Sequence, residues 1–162
     1  MSKVFRQWVD DYQDQAWSLA RYLLKDPAEA EDVCQETFIK LWNQQDRIDH
    51  DKVKAWLMKV TRNGCLDRIR RRKPSEELGE WHAAEGASGP QQGAEQGQLG
   101  QFLQRSIAGL DEPYRSLVLL RDVQQNSYEE VADALELSLA QVKVYLHRAR
   151  KQLREELAEV RP

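Results

Sequence analysis

The residues with chemical potential are concentrated in the last third of the chain. Gln141, Lys143, Val144, His147, Arg148, Arg150 and Lys151 recur there on the outward side of a helical pattern, and no acidic residue stands between Ser138 and Arg154. Amide, ammonium and guanidinium groups arranged in this way suit contacts to phosphate oxygens and base edges rather than bond-making. A second basic concentration, Arg62, Arg68, Arg70, Arg71, Arg72 and Lys73, lies in mid-chain. The histidines, His50, His82 and His147, are isolated from one another. Cys34 and Cys65 lie far apart and share no metal-ligand spacing with them. Gly-rich phosphate loops and nucleophile–base arrangements are missing as well, so the chain reads as a non-enzyme without cofactor or metal, its thiols half-buried and inert.

Two capped helices must position the C-terminal basic face. Ser127 followed by Glu130 has capping-box spacing, and Tyr128, Val131, Ala132 and Leu135 then fall on one stripe. After only Glu136 and Leu137, Ser138 and Gln141 repeat the box, and Val142, Leu146, Ala149 and Leu153 supply the second seam. Two helices joined this closely predict a helix-turn-helix, although Glu136 and Leu137 stand where such turns commonly carry Gly.

Three further helical patterns precede it. Phe5, Trp8, Val9, Tyr12, Ala16, Leu19, Ala20, Leu23 and Leu24 mark the first. Asp26 and Pro27 stop it and cap the second, whose apolar positions Ala30, Val33, Cys34, Thr37, Phe38, Leu41 and Trp42 predict a wide buried stripe. Glu29, Asp32 and Glu36 form an acidic line outside that stripe. A polar loop at Asp46, Arg47 and Ile48 leads to a third helix expected from about Asp51 to Arg72, with Val53, Trp56, Leu57, Val60, Leu66 and Ile69 as core. Trp56 is read here as core rather than as a stacking platform, and Asp67 as a structural cap or partner of nearby arginines. No strand-like alternation occurs, so the fold class is all-α.

The chain has 162 residues, enough for one compact domain or two small ones. Between Pro74 and Gly100 periodicity gives way to Gly, Glu, Gln and Ser, a composition too polar to offset its chain entropy. The expected organisation is therefore a helical bundle over 1–74, a flexible linker over 75–100 and a helix-turn-helix domain over 101–158. Trp81, the large apolar residue of the linker, has no assigned partner. A formal net charge of −3 argues at first against a nucleic-acid protein, but the basic residues are gathered on two surfaces and distribution outweighs the sum. With no apolar run long enough to span a bilayer and no leader pattern at Met1 to Val4, the chain reads as cytoplasmic, without membrane insertion.

The stretch Asp32-Val33-Cys34-Gln35-Glu36-Thr37-Phe38, followed by Trp56-Leu57, Asn63, Asp67 and Arg70-Arg71, resembles region 2 of extracytoplasmic-function sigma factors. Leu110 to Arg115, Tyr128 to Ala132 and Val142 to Arg150 resemble region 4 of the same family. The resemblance implies an RNA polymerase specificity subunit that binds core polymerase and directs promoter-specific initiation, and it implies an anti-sigma factor as a further partner. Carried over residue by residue, it assigns Asp32, Gln35 and Glu36 to core-polymerase docking. To the minus-ten element it assigns Asn63 as the reader of a flipped base, Lys59, Arg62, Arg70, Arg71 and Arg72 as phosphate ligands, and Asp46, Arg47 and Ile48 as the loop over the pocket. Gln141, Lys143, Val144, His147, Arg148 and Arg150 fall to the minus-thirty-five element. The competing reading is a stand-alone helix-turn-helix regulator that binds DNA as a dimer without polymerase, but no dimer seam or ligand pocket is evident in the sequence.

Overall fold

The structure, a computed structural model, describes residues 2–72 and 97–160, and the chain divides into two compact units. The expected linker and Trp81 fall largely outside the described residues. All regular structure among the described residues is helical.

The N-terminal unit is built from α1 (Lys3–Leu23), α2 (Pro27–Gln44) and α3 (Val53–Arg71), each packed on the other two. Ser2 opens α1 by accepting from the Phe5 N–H at 3.1 Å. At its other end Arg21 is buried, and its Nη1 donates to the carbonyls of Leu24 and Lys25, both at 3.0 Å. The hydrophobic pattern missed this residue because a guanidinium that satisfies helix-end carbonyls can accompany its apolar stem into the core. Asp26 caps α2 through the Ala28 N–H at 2.9 Å, with Pro27 at the first helical position.

The buried stripe of α2 is narrower than its sequence pattern. Ala30, Val33, Thr37 and Leu41 are buried, Cys34 and Phe38 are half-buried, and Trp42 is 43% exposed. Trp42 makes an edge contact with Phe5, at a centroid distance of 5.0 Å. Two 3-10 turns, Gln45–Arg47 and His50–Lys52, then deliver the chain to α3, which starts at Val53 rather than Asp51 because residues 50–52 wind more tightly. His50 packs edge-on against Trp8 of α1 at 5.1 Å and ties the second turn to the bundle.

The core face of α3 differs from the expected one. Val53, Leu57, Met58, Thr61 and Cys65 are buried, whereas Trp56, Val60, Leu66 and Ile69 are half-buried. Val53, Leu57, Thr61 and Cys65 repeat every four residues and so share a face. At Gly64 a Cβ would stand 3.0 Å from Val33 Cγ1 of α2, too close for a bulky residue one position from Cys65. Trp56 lies at the edge of the core.

The C-terminal unit comprises α4 (Gln98–Ala108), α5 (Tyr114–Val118) running directly into a π-helical turn (Leu119–Val123), α6 (Tyr128–Leu135) and α7 (Leu139–Val160). Helix α4 takes in Gln98, Leu99 and Gly100, which the composition had placed in the linker. Their place is explained by Leu99 standing three and four residues before Phe102 and Leu103, at helical spacing. The core is formed by Ile107, Leu110, Leu117 to Leu120, Val131, Leu135, Val142, Leu146 and Ala149. Tyr128 and Leu153, expected within the stripes, are half-buried at their edges.

Candidate functional surfaces

The helix-turn-helix is built from two reciprocal capping boxes. Ser127 Oγ accepts from the Glu130 N–H at 3.0 Å and Glu130 Oε1 accepts from the Ser127 N–H at 2.9 Å. Ser138 and Gln141 repeat the exchange at 3.1 and 2.9 Å. Between them Glu136 adopts a left-handed conformation, φ 57°, and the Leu137 N–H reaches back to Ala132 O at 3.0 Å. The position usually given to Gly is therefore present as a backbone state, held by a residue other than Gly.

These caps aim α7. With Val142, Leu146 and Ala149 buried, Gln141, Lys143, Val144, His147, Arg148 and Lys151 are exposed, Val144 at 47%. Gln141 uses its carbonyl oxygen in the cap. Arg150 is differently placed. Its Nη2 and Nε donate to Asp122 Oδ1 and Oδ2 of the π-helical turn at 2.6 and 3.0 Å, forming a two-bond fork. This hydrogen-bonded partner holds the guanidinium above its ordinary pKa, and Tyr128 adds to the effect. Arg121 completes the junction, lying 4.4 Å from the Tyr128 ring centroid and donating to Asn126 O at 2.8 Å. Leu103, Leu153, Arg154 and Leu157 line a groove of about 320 Å³ beside the Arg150–Asp122 pair.

In the N-terminal unit the acidic line of α2 faces basic partners from α3. Arg68 Nη2 donates to Glu36 Oε1 at 2.9 Å, with Nη1 3.7 Å from Asp32 Oδ2, and Arg72 pairs with Glu29. Asp32 and Glu36 nonetheless keep 60% and 58% of their side-chain surface exposed, so a partner can still reach them. Gln35 is exposed beside them and donates to Glu31. A groove of about 530 Å³ adjoins this face, with Val9, Trp17, Cys34 and Phe38 as its apolar lining and Gln13, Asp14, Glu31 and Gln35 as polar lining. Burial raises the Cys34 thiol from 9.0 to about 12, with Glu31 adding to the shift.

Helix α3 carries its polar residues on two faces, and of the predicted DNA ligands Arg72 lies on the one turned to α2. Arg68 and Arg72 reach α2, while Asn63, seven residues after Trp56 and seven before Arg70, shares with them a face away from the buried Thr61 and Cys65. Asn63 and Arg70 are exposed, Lys59 and Arg62 half-buried, and Arg70 pairs with Asp67. Arg71 is exposed at the helix end. Asp46 and Arg47 are exposed in the first 3-10 turn and Ile48 is half-buried just after it. Arg68 and Asp122 had no place in the sequence-derived site. Their partners lie 32 and 28 residues away, and only the acidic line on α2 hinted at the first.

The chain thus consists of a three-helix unit with an acid-lined helix and a basic one, followed by a helix-turn-helix unit, the make-up of a two-module DNA-binding protein. Residues 8–74 match the Sigma-70 region 2 family and residues 103–153 match Sigma-70 region 4. The chain is 31% identical to the ECF RNA polymerase sigma factor SigW of Bacillus subtilis (strain 168), over 96% of this chain and 90% of that one. It is 34% identical to the RNA polymerase sigma-E factor of Streptomyces coelicolor, over 94% and 85% of the two chains. Among solved structures, the sigma factor RpoE in complex with the anti-sigma factor NepR from Bartonella quintana is 25% identical with a TM-score of 0.74, covering 99% of this chain and 100% of that one. The chain belongs to the extracytoplasmic-function family of RNA polymerase sigma factors. No described helix is long and apolar enough to cross a membrane.

Proposed function

We propose that the two units divide promoter recognition between them, with α2 docking on core polymerase, α3 and the preceding turn holding the minus-ten element, and α7 reading the minus-thirty-five element. The docking residues are Asp32, Gln35 and Glu36, whose acidic line beside an apolar groove suits a basic amphipathic partner. Asn63 presents a short amide, able both to donate and to accept, on the exposed face of α3 and reads a flipped base there. Lys59, Arg62, Arg70 and Arg71 hold phosphates around it. On α7, Lys143, Val144, His147 and Arg148 meet the major groove. An anti-sigma factor is the expected regulator, a reading supported by the NepR complex of the Bartonella relative.

The observation that carries this reading is the exposed, acid-free face of α7 held behind a reciprocal cap. Run-off transcription with core RNA polymerase on a pool of promoter fragments tests it. Transcripts that require the chain and are lost in an Asp32→Ala/Glu36→Ala variant support it. DNA binding independent of polymerase, with no transcripts, would establish a stand-alone regulator instead.

A further inference from the structure

Among the α7 cations, Arg150 is distinguished by its built partner. Two of the five N–H donors of Arg150 are committed to the two carboxylate oxygens of Asp122, at 2.6 and 3.0 Å, which fixes the plane and direction of its guanidinium. The fork is directional, so it fixes the rotation of α7 about its axis as well as its distance from the π-helical turn. Other contacts brace that turn. Arg121 binds Asn126 O and covers the Tyr128 ring, while Asn126 Nδ2 donates to Leu120 O at 2.9 Å and the Asn126 N–H to the same oxygen at 3.0 Å. Asp122 thus sits on a stiff turn joined to the start of α6, and Arg150 carries that stiffness into α7, two turns after Lys143 on nearly the same face.

We propose that Asp122 and Arg150 are positioning residues for minus-thirty-five recognition, setting the angle at which Lys143, Val144, His147 and Arg148 meet the base edges, and that Arg150 is not a phosphate ligand. The inference rests on the reading of α7 as the minus-thirty-five helix.

The test is holoenzyme binding to a cognate promoter and to one with a scrambled minus-thirty-five element, each across a salt series. Arg150→Ala is expected to reduce discrimination on the order of tenfold, with the slope of log affinity against log salt unchanged. Asp122→Ala should give the same loss, and the double variant no more than either alone. The exchanged pair, Asp122→Arg/Arg150→Asp, should restore discrimination. A phosphate role could not be rescued in this way, because an acidic group at position 150 would repel DNA. Misfolding is also excluded if the exchanged pair recovers function. A slope that falls by about 0.9 in Arg150→Ala, with discrimination intact, would overturn the proposal alone. Wild-type holoenzyme indifferent to the minus-thirty-five sequence would overturn the reading of α7 and this inference with it.

Discussion

Arg68 of α3 donates to Glu36 of α2 at 2.9 Å, joining the basic end of one helix to the acidic line of the other. Asp32 is within reach of the same guanidinium at 3.7 Å, so the two carboxylates proposed to meet a basic partner already share an internal cation. With both carboxylates mostly solvated, such a pair contributes about 0–1 kcal/mol. If the proposed docking role holds, the internal pair weakens docking slightly without preventing it. Arg68→Met should tighten binding to core polymerase by up to about fivefold, the equivalent of ~1 kcal/mol, while Asp32→Asn/Glu36→Gln weakens it. Weaker binding by a natively folded Arg68→Met protein would show that Arg68 orients the carboxylates rather than competing for them.

Glu136 occupies the left-handed region at φ 57°, where a Cβ is disfavoured. Glu136→Gly should raise the stability of the C-terminal unit by up to about 1 kcal/mol. Thermal or urea denaturation measures this directly, and a loss would mean that the contacts of the Glu136 side chain outweigh the backbone cost.

Gly64 of α3 lies against buried Val33, whose Cγ1 would be 3.0 Å from an added Cβ. Alanine gains about 1 kcal/mol in helix propensity. Val33 is β-branched and has little rotamer freedom with which to yield, and overpacking costs ~1–3 kcal/mol. Gly64→Ala should thus lower stability by up to ~2 kcal/mol, read by denaturant midpoint, and a stabilised variant would show that the α2–α3 contact can relax.

Thr61 is buried, and its hydroxyl has no hydrogen-bond partner among the described residues. Thr61→Val keeps the shape and removes the unsatisfied group, so stability should stay level or rise by about 1 kcal/mol. A clear loss in a melting experiment would reveal a bound water or other partner at Oγ1.

The Cys34 thiol, raised to about 12 by burial and by Glu31, stays protonated at neutral pH and should react slowly with thiol reagents. Its proton is held more tightly in the folded chain than in the unfolded one. The stability this contributes is complete below the ordinary thiol range and is lost as pH rises from about 9 toward 12. The pH dependence of unfolding should show this fall, and Cys34→Ala should remove the Cys34 component. Rapid modification of Cys34 in the native protein near pH 7 would contradict the assignment.

Features confined to a few consecutive residues were legible before any coordinates. Ser127 with Glu130, Ser138 with Gln141, and Asp26 with Pro27 mark helix starts because a cap is a bond across two or three positions. The all-α class and the outward face of α7 follow from the same short-range periodicity. Even the absence of Gly from the turn was visible, although only the backbone shows Glu136 assuming that role.

What depends on two helices meeting was not legible. That Thr61 enters the core while Trp56 stays at its edge depends on which face α3 turns to its neighbours, and Gly64 against Val33 marks where α3 approaches α2 closely. The partners of Arg68, Arg72 and Arg150 lie 32, 43 and 28 residues away in sequence. The sequence by itself determined which helices form and which faces carry charge, because those are local matters of spacing. Only the tertiary structure decided which charges face a partner and which are held within the fold, because ion pairing depends on distances set when the helices pack.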